Sequence, residues 1–326
     1  MTNLFKIMAS NLFASNSFNS VLGFFAYPII KVHSNKKQNQ KSNKTVSLTI
    51  DCESGYLKNN NGRVWMFKDP FAFQGYYQGM KNLLSILEKN KIKATFFIST
   101  QCFYAEGEER SKIIDILNKI YKKKHEIALH LHPKEDFELQ RKLGKKLNFS
   151  GARFYSPEEI DSMIKKSLEL IEENLGKDIA DSIKSFRFGN FAADIRTFEV
   201  LEKNGFVVDS SACPGCSGHK GDDREYAWNF LEEDMGRTHL TEIPITTFWF
   251  FGWRRADPSI GSLTNMAFKK YPQSAFPFVV ITHSSECTHE NGVPTYVANN
   301  LNNFILAAKK ENAKFVTLSR TKEALK

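Results

Sequence analysis

Six residues have types and spacings from which metal-assisted chemistry can be built: Asp51 and Glu53, His130 and His132, Arg187, and His283. The first two close the alternating run Val46-Ser47-Leu48-Thr49-Ile50-Asp51-Cys52-Glu53. Side chains alternate faces along an extended strand, so Val46, Leu48 and Ile50 share one side and Ser47, Thr49 and Asp51 the other. Extension for two more residues puts Glu53 beside Asp51 and turns Cys52 away. His130 and His132 share parity in the same way. Two imidazoles and one carboxylate are a common set of three protein ligands for a catalytic zinc, leaving a position open for water. A single strand-end histidine is more often a satisfied structural residue; several such residues on successive strand ends favour a functional site.

The elements that must position these residues alternate along the chain. Tyr77, Met80, Leu83, Leu84 and Leu87 form a helical stripe, and residues 93–99 read as a buried strand. Ile113, Ile116, Leu117 and Ile120 mark the next helix, which leads to a strand at 125–130. Ser156-Pro157-Glu158-Glu159 is a helix start with a Ser cap, Pro at the first helical position and a capping-box Glu. Further strands are expected at 183–187, 206–209, 242–248, 278–283 and 315–318, with Gly205 ending the helix before Phe206. Seven or eight strands separated mostly by helices imply a mainly parallel sheet closed as a β/α barrel over residues 46–326. Strands of such folds end at their functional face, which is where Asp51, His130, Arg187 and His283 fall.

The chain of 326 residues carries a formal charge of +9, but residues 1–45 hold six lysines and no acid, so only +3 remains for the rest. A folded part this close to neutral argues against nucleic acid as a partner. Five cysteines at irregular spacing do not form a secreted disulfide framework, and a reducing, cytoplasmic setting fits better. No stretch reaches the roughly 20 apolar residues of a membrane-spanning helix. Lysines follow the apolar run Val21 to Ile30 instead of preceding it, which does not support export. Residues 1–32 are apolar, with Leu4, Phe5, Met8 and Leu12 at helical spacing; residues 33–45 read as a polar, basic linker. Two readings of residues 1–32 stay open: a helix packed on its own domain or a partner, or a peripheral contact with the anionic inner face of a membrane.

Four motifs in order, Thr49-Ile50-Asp51-Cys52-Glu53, His125-Glu126-Ile127-Ala128-Leu129-His130-Leu131-His132-Pro133, Phe186-Arg187-Phe188-Gly189-Asn190 and Ile281-Thr282-His283-Ser284, resemble the polysaccharide deacetylases of the NodB-homology type, carbohydrate esterase family 4. The resemblance runs from about Thr45 to the C-terminus. It implies a distorted β/α barrel that uses a divalent metal, usually zinc, to hydrolyse acyl groups on N-acylated sugars. It makes Asp51 the catalytic base, His130 the first metal histidine, Arg187 the arginine that orients the base, and His283 the general acid. Two positions depart from the family pattern. Cys52 stands where a metal-binding Asp is usual, and Lys134 where the second metal histidine is usual. Glu53 and His132 are the available substitutes, and the group that tunes His283 is unassigned.

Cys213-Pro214-Gly215-Cys216, with His219 beyond, has the spacing of a redox pair or a partial zinc site, but no fourth ligand is evident and it reads as a loop. The run Phe248-Trp249-Phe250-Phe251-Gly252-Trp253-Arg254-Arg255 is either rim packing or a sugar platform, with Trp249, Trp253 and Arg254 as substrate contacts. Asp209, ending another strand, is expected to line the pocket. The leading expectation is a metal-dependent deacetylase of an N-acylated sugar or polysaccharide precursor. A metal amidohydrolase of a non-sugar amide or formamide, and a catalytically silent carbohydrate-binding barrel, are the alternatives.

Overall fold

The run at 46–53 becomes a strand because each of its faces has something to line, helices on one side and a barrel interior on the other. The computed structural model describes residues 30–32, 44–53, 56–59, 62–65, 75–215, 238–272, 276–289 and 291–325. Leu4, Phe5, Met8, Leu12, Cys216 and His219 lie outside the described residues. Among the described residues the strands are β1 (Lys31–Val32), β2 (Thr45–Cys52), β3 (Tyr56–Asn59), β4 (Gly62–Trp65), β5 (Thr95–Ile98), β6 (Glu126–Leu131), β7 (Ser185–Phe188), β8 (Val208–Asp209), β9 (Thr241–Glu242), β10 (Thr247–Trp249), β11 (Trp253–Arg255), β12 (Phe278–His283) and β13 (Lys314–Phe315).

Strands β12, β2, β5, β6, β7, β8 and β9 lie side by side in that order and all run parallel, and β13 pairs in parallel with the start of β2. Between the outer strands β9 and β12 the gap is crossed by single bonds. Thr246 N–H donates to Val279 O at 3.2 Å, Val279 N–H to Thr246 Oγ1 at 2.8 Å, and Ile281 N–H to Ala256 O at 3.0 Å. The fold is therefore a distorted (β/α) barrel. Residues 242–248 do not form the single strand expected of them: they split into β9 and β10, and Pro244, which has no N–H, sits in the break.

The period-2 reading of β2 holds. Val46, Leu48, Ile50 and Cys52 join the core between sheet and helices, with Phe96 and Ile98 of β5 and the buried Met80, Leu83, Leu84 and Leu87 of helix Met80–Lys89. Phe97, Ala128, Val279, Ile281, Ile243, Ile245 and Leu318 fill the barrel itself. Each fully buried Leu, Ile or Phe contributes about 1.5–3 kcal/mol relative to exposure. Helix Pro157–Leu175 starts with the expected capping box: Ser156 N–H donates to Glu159 Oε2 at 3.0 Å and Glu159 N–H to Ser156 Oγ at 3.3 Å. Gly205, at φ +79°, ends helix Ile195–Lys203 as expected.

A second, antiparallel sheet, β1-β10-β11, sits on the barrel. Its strand β1 comes from the N-terminal segment, and the preceding Ile30 is buried in the core outside the barrel and accepts a hydrogen bond from Lys270 Nζ at 3.0 Å. Residue 45 is thus no clean domain edge, since residues 30–32 dock on the unit that follows. No helix among the described residues is long and apolar enough to cross a membrane.

Candidate metal centre and active site

Parallel register does most of the positioning. His283, the last residue of β12, pairs with Asp51 of β2, and His130 of β6 pairs with Arg187 of β7. Asp51, Glu53, His130 and His132 are all buried, and Arg187 is wholly so. Glu53 Oε1 lies 2.8 Å from His130 Nε2 and 2.9 Å from His132 Nε2. The two imidazoles meet edge to face with centroids 4.6 Å apart. Gly189 makes room for this: a Cβ there would lie 2.4 Å from the His132 ring.

The donor set suits a divalent cation. His130 Nδ1 lies 3.0 Å from the main-chain oxygen of Arg187, which can only accept, so Nδ1 carries a hydrogen and a neutral ring would turn the Nε2 lone pair toward Glu53. A lone pair and a carboxylate oxygen facing each other require something positive between or beside them, a proton or a metal ion. Ligand atoms of Glu53, His130 and His132 all lie within 4.8 Å of one another, and so do those of Asp51, Glu53 and His283. Without a metal, protons take the positive role. Burial works against the charge on Glu53, but His132 and the hydrogen bonds from both histidines hold its pKa well below the usual carboxylate range. Burial likewise pushes His132 down, but Glu53 and Glu135, the latter 3.6 Å from Nδ1, raise it to about 10.

Beside this cluster, Arg187 is spread over four partners. Its Nη1 donates to Asp51 Oδ1 at 2.5 Å and to Thr49 Oγ1 at 3.1 Å, Nε to Ser210 O at 2.9 Å, and Nη2 to Ser210 Oγ at 2.9 Å. The guanidinium also lies 4.2 Å over the Phe97 ring. A buried arginine held this fully fixes the direction of its carboxylate partner. Asp51 is thereby aimed, with its Oδ2 left 3.8 Å from His130 Nε2. On the other side of Asp51, burial lowers the pKa of His283, but Glu286, 3.5 Å from Nδ1, raises it to about 9.

Asp209 departs from expectation. It is fully buried, its two oxygens accept from Ser211 Oγ at 2.8 Å and Ser211 N at 2.9 Å, and the buried Glu242 carboxyl interacts with it. Burial raises both carboxyls, so the pair braces the Ser210–Ser211 turn that holds Arg187 and turns no face to a substrate. Trp249, Trp253 and Arg254 lie on the β10–β11 hairpin and are exposed. Arg255, next to them, turns inward to Asp257 Oδ2 at 3.0 Å and stands over the Phe191 ring. Cys52 points into the outer core, where burial pushes its thiol well above the usual range. Sequence reasoning missed Glu135 and Glu286. Both follow a site histidine by three residues, His132-x-x-Glu135 and His283-x-x-Glu286, and that shared spacing was the available signal.

The polysaccharide deacetylase profile matches residues 38–208, just over half of the chain. The chain belongs to this family. Its fold matches that of a Mycobacterium smegmatis protein provisionally named a polysaccharide deacetylase, with TM-score 0.56 and 16% identity over 90% of this chain and 95% of that one. Two further structures are less similar. A family 4 acetyl xylan esterase from Clostridium thermocellum, in complex with cobalt, gives TM-score 0.45 and 16% identity, covering 86% of this chain and 91% of that one. A family 4 pseudoenzyme from Bacillus anthracis gives 0.44 and 14%, covering 89% and 68%. No curated protein matches the sequence significantly. For a deacetylase family member the departures at Cys52 and Lys134 are notable, because Glu53 and His132 stand together with His130 where those two residues do not.

Proposed function

We propose that the protein is a divalent-metal-dependent hydrolase that removes an N-acetyl or related acyl group from a sugar in surface-polysaccharide metabolism, with zinc as the metal its ligands suit best. The observation that carries this reading is the meeting of Glu53, His130 and His132 at one buried point, flanked by the Arg187–Asp51 pair and by His283. Glu53, His130 and His132 would hold the metal, which when bound polarises an acyl carbonyl and brings the pKa of a water to about 7.

The remaining residues divide the proton work. Asp51, aimed by Arg187, takes the proton of the attacking water. His283, drawn up to about 9 by Glu286, is protonated at neutral pH and gives its proton to the departing nitrogen. An amine leaves badly as an anion, so that delivery is required for the C–N bond to break. The sugar substrate and the polysaccharide setting rest on family membership. A cytoplasmic site of action, peripheral to the inner membrane face, rests on cysteine usage and on the basic N-terminal segment.

Acetate release from N-acetylated chito-oligosaccharides tests the proposal. Zinc-loaded protein should release acetate, chelation should abolish release, and added zinc should restore it. Metal uptake with no release from N-acetyl or N-formyl sugars would overturn the hydrolase reading in favour of a silent carbohydrate-binding barrel. Release from simple non-sugar amides alone would favour the wider amidohydrolase class.

A further inference from the structure

The β10–β11 hairpin carries aromatic rings that are partly exposed, the most exposed of them at its tip. Trp249 and Trp253 face each other across its ladder, and the turn between them is Phe250-Phe251-Gly252. Trp249 is 36% exposed, Trp253 43% and Phe251, at the tip, 71%. Phe251 sits at φ 48° and Gly252 at φ 123°. A left-handed conformation is strained for a bulky aromatic residue, and the ring it carries here stands largely in water.

A glycan and a lipid surface are the two occupants to weigh. Sugar platforms offer open ring faces in a common plane. In this hairpin the Trp249 and Phe251 planes are inclined by 40° with centroids 6.2 Å apart, and Phe250 and Phe251 by 71°. Gly215 packs on the Trp253 indole so closely that a Cβ would lie 2.4 Å from it. The most exposed ring, Phe251, has no polar atom to meet a sugar hydroxyl. A bilayer interface accepts rings at any inclination and rewards depth of burial. The charge on the hairpin matches an anionic one: Arg254 is exposed beside Trp253, and the strand in register with Trp249 comes from a part of the sequence, residues 1–45, that holds six lysines and no acid.

We propose that the β10–β11 hairpin is an interfacial anchor that seats the barrel on an anionic lipid bilayer. Arg255, on the same strand, lies within electrostatic reach of Glu286, the carboxylate that faces His283.

Cosedimentation of the full-length chain with phosphatidylglycerol/phosphatidylcholine vesicles tests this. Wild-type protein should bind these vesicles and ignore vesicles of phosphatidylcholine alone. Phe251→Ser should lower the partition coefficient at least about tenfold, the loss that burial of one Phe side chain implies, while Phe251→Leu should stay near wild type. Circular dichroism of both variants should match wild type, the ring being outside the core. Vesicle binding unaffected by Phe251→Ser would overturn the proposal, as would no wild-type binding to anionic vesicles. A tenfold rise in KM for a soluble acetylated oligosaccharide with unchanged vesicle binding would assign the ring to glycan instead.

Discussion

The two ends of the barrel each hold a glutamate beside a buried histidine, the glutamate half-buried at one end and buried at the other, and they treat them in opposite ways. At the floor, Glu126 accepts from Thr95 Oγ1 at 2.8 Å, Ser185 Oγ at 2.6 Å and the amide of Ser319 at 3.2 Å, all neutral donors. At the rim, Glu53 meets two imidazoles. His125, at the floor, is pushed down to about 4 by burial and by nearby lysines, with only a weak opposing pull from Glu88, whereas His132 at the rim is drawn up to about 10 by Glu53 and Glu135. Both rings are almost wholly buried, at 4% and 6% exposure, so burial does not decide the sign. The neighbouring carboxylates do. A carboxylate satisfied by hydroxyls and amides holds a structure together; one surrounded by imidazoles is poised to exchange protons for a cation.

The largest effects should come from the rim. Asp51→Asn should lower turnover on the order of a thousandfold with metal stoichiometry by mass spectrometry unchanged, and His283→Ala should lower it roughly a hundredfold, again with metal retained. Loss of metal in either variant would move that residue into the ligand set, where His283 and Asp51 lie close enough to Glu53 to serve.

Exchanging the same group at the two ends sharpens the contrast. Glu53→Gln should reduce zinc affinity at least about tenfold, by competition with a chromophoric chelator, whereas Glu126→Gln should leave affinity alone and cost about 1–3 kcal/mol of folding stability in a urea titration. Equal effects on zinc would erase the distinction between rim and floor.

Stability of the metal-free protein against pH separates the histidines next. The folded pKa of His125 lies below the ordinary 6.5, so its contribution is fully present above 6.5 and is lost as pH falls through about 4. His132 is raised, so its contribution is fully present below 6.5 and is lost as pH rises through about 10. In thermal melts, His125→Gln should flatten the acid limb and His132→Gln the alkaline limb. A swapped pattern would refute the assignment of the two environments.

The smallest effect on the chemistry belongs to Cys52→Ser. A buried hydroxyl among apolar side chains lowers stability by about 1–3 kcal/mol, but zinc affinity and turnover should stay within twofold of wild type, roughly the scatter of such measurements. Zinc lost on this change alone would mean that the thiolate, not Glu53, is the ligand.

What was legible in the sequence follows from how local its cause is. Strand parity fixes Asp51, Glu53, His130 and His132 on common sides, and a capping box announces itself in four residues, so both were readable. Asp209 was misread because a place at a strand end does not disclose which neighbours will close on it; Glu242, 33 residues away, decides that. Glu286 could have been found from its spacing to His283, but only the 3₁₀ turn at Ser284–Cys287 brings its carboxylate back to the ring. The run Phe248–Arg255 stood out in the sequence, but that it folds back on itself at Phe251 was not legible, for a similar reason. Its turn depends on positive φ at a phenylalanine, which no propensity favours.

Arg187 carries a consequence for how the site evolves and how it is probed. Its guanidinium serves Asp51 while its main-chain oxygen serves His130, 57 residues away in sequence. A side-chain substitution at this position reaches only the first of these two duties. The second belongs to the peptide group, which every amino acid supplies, and is therefore invisible to alanine scanning and to substitution frequencies. Ester replacement of the following peptide link, which weakens that oxygen as an acceptor without touching any side chain, is the change that would expose it.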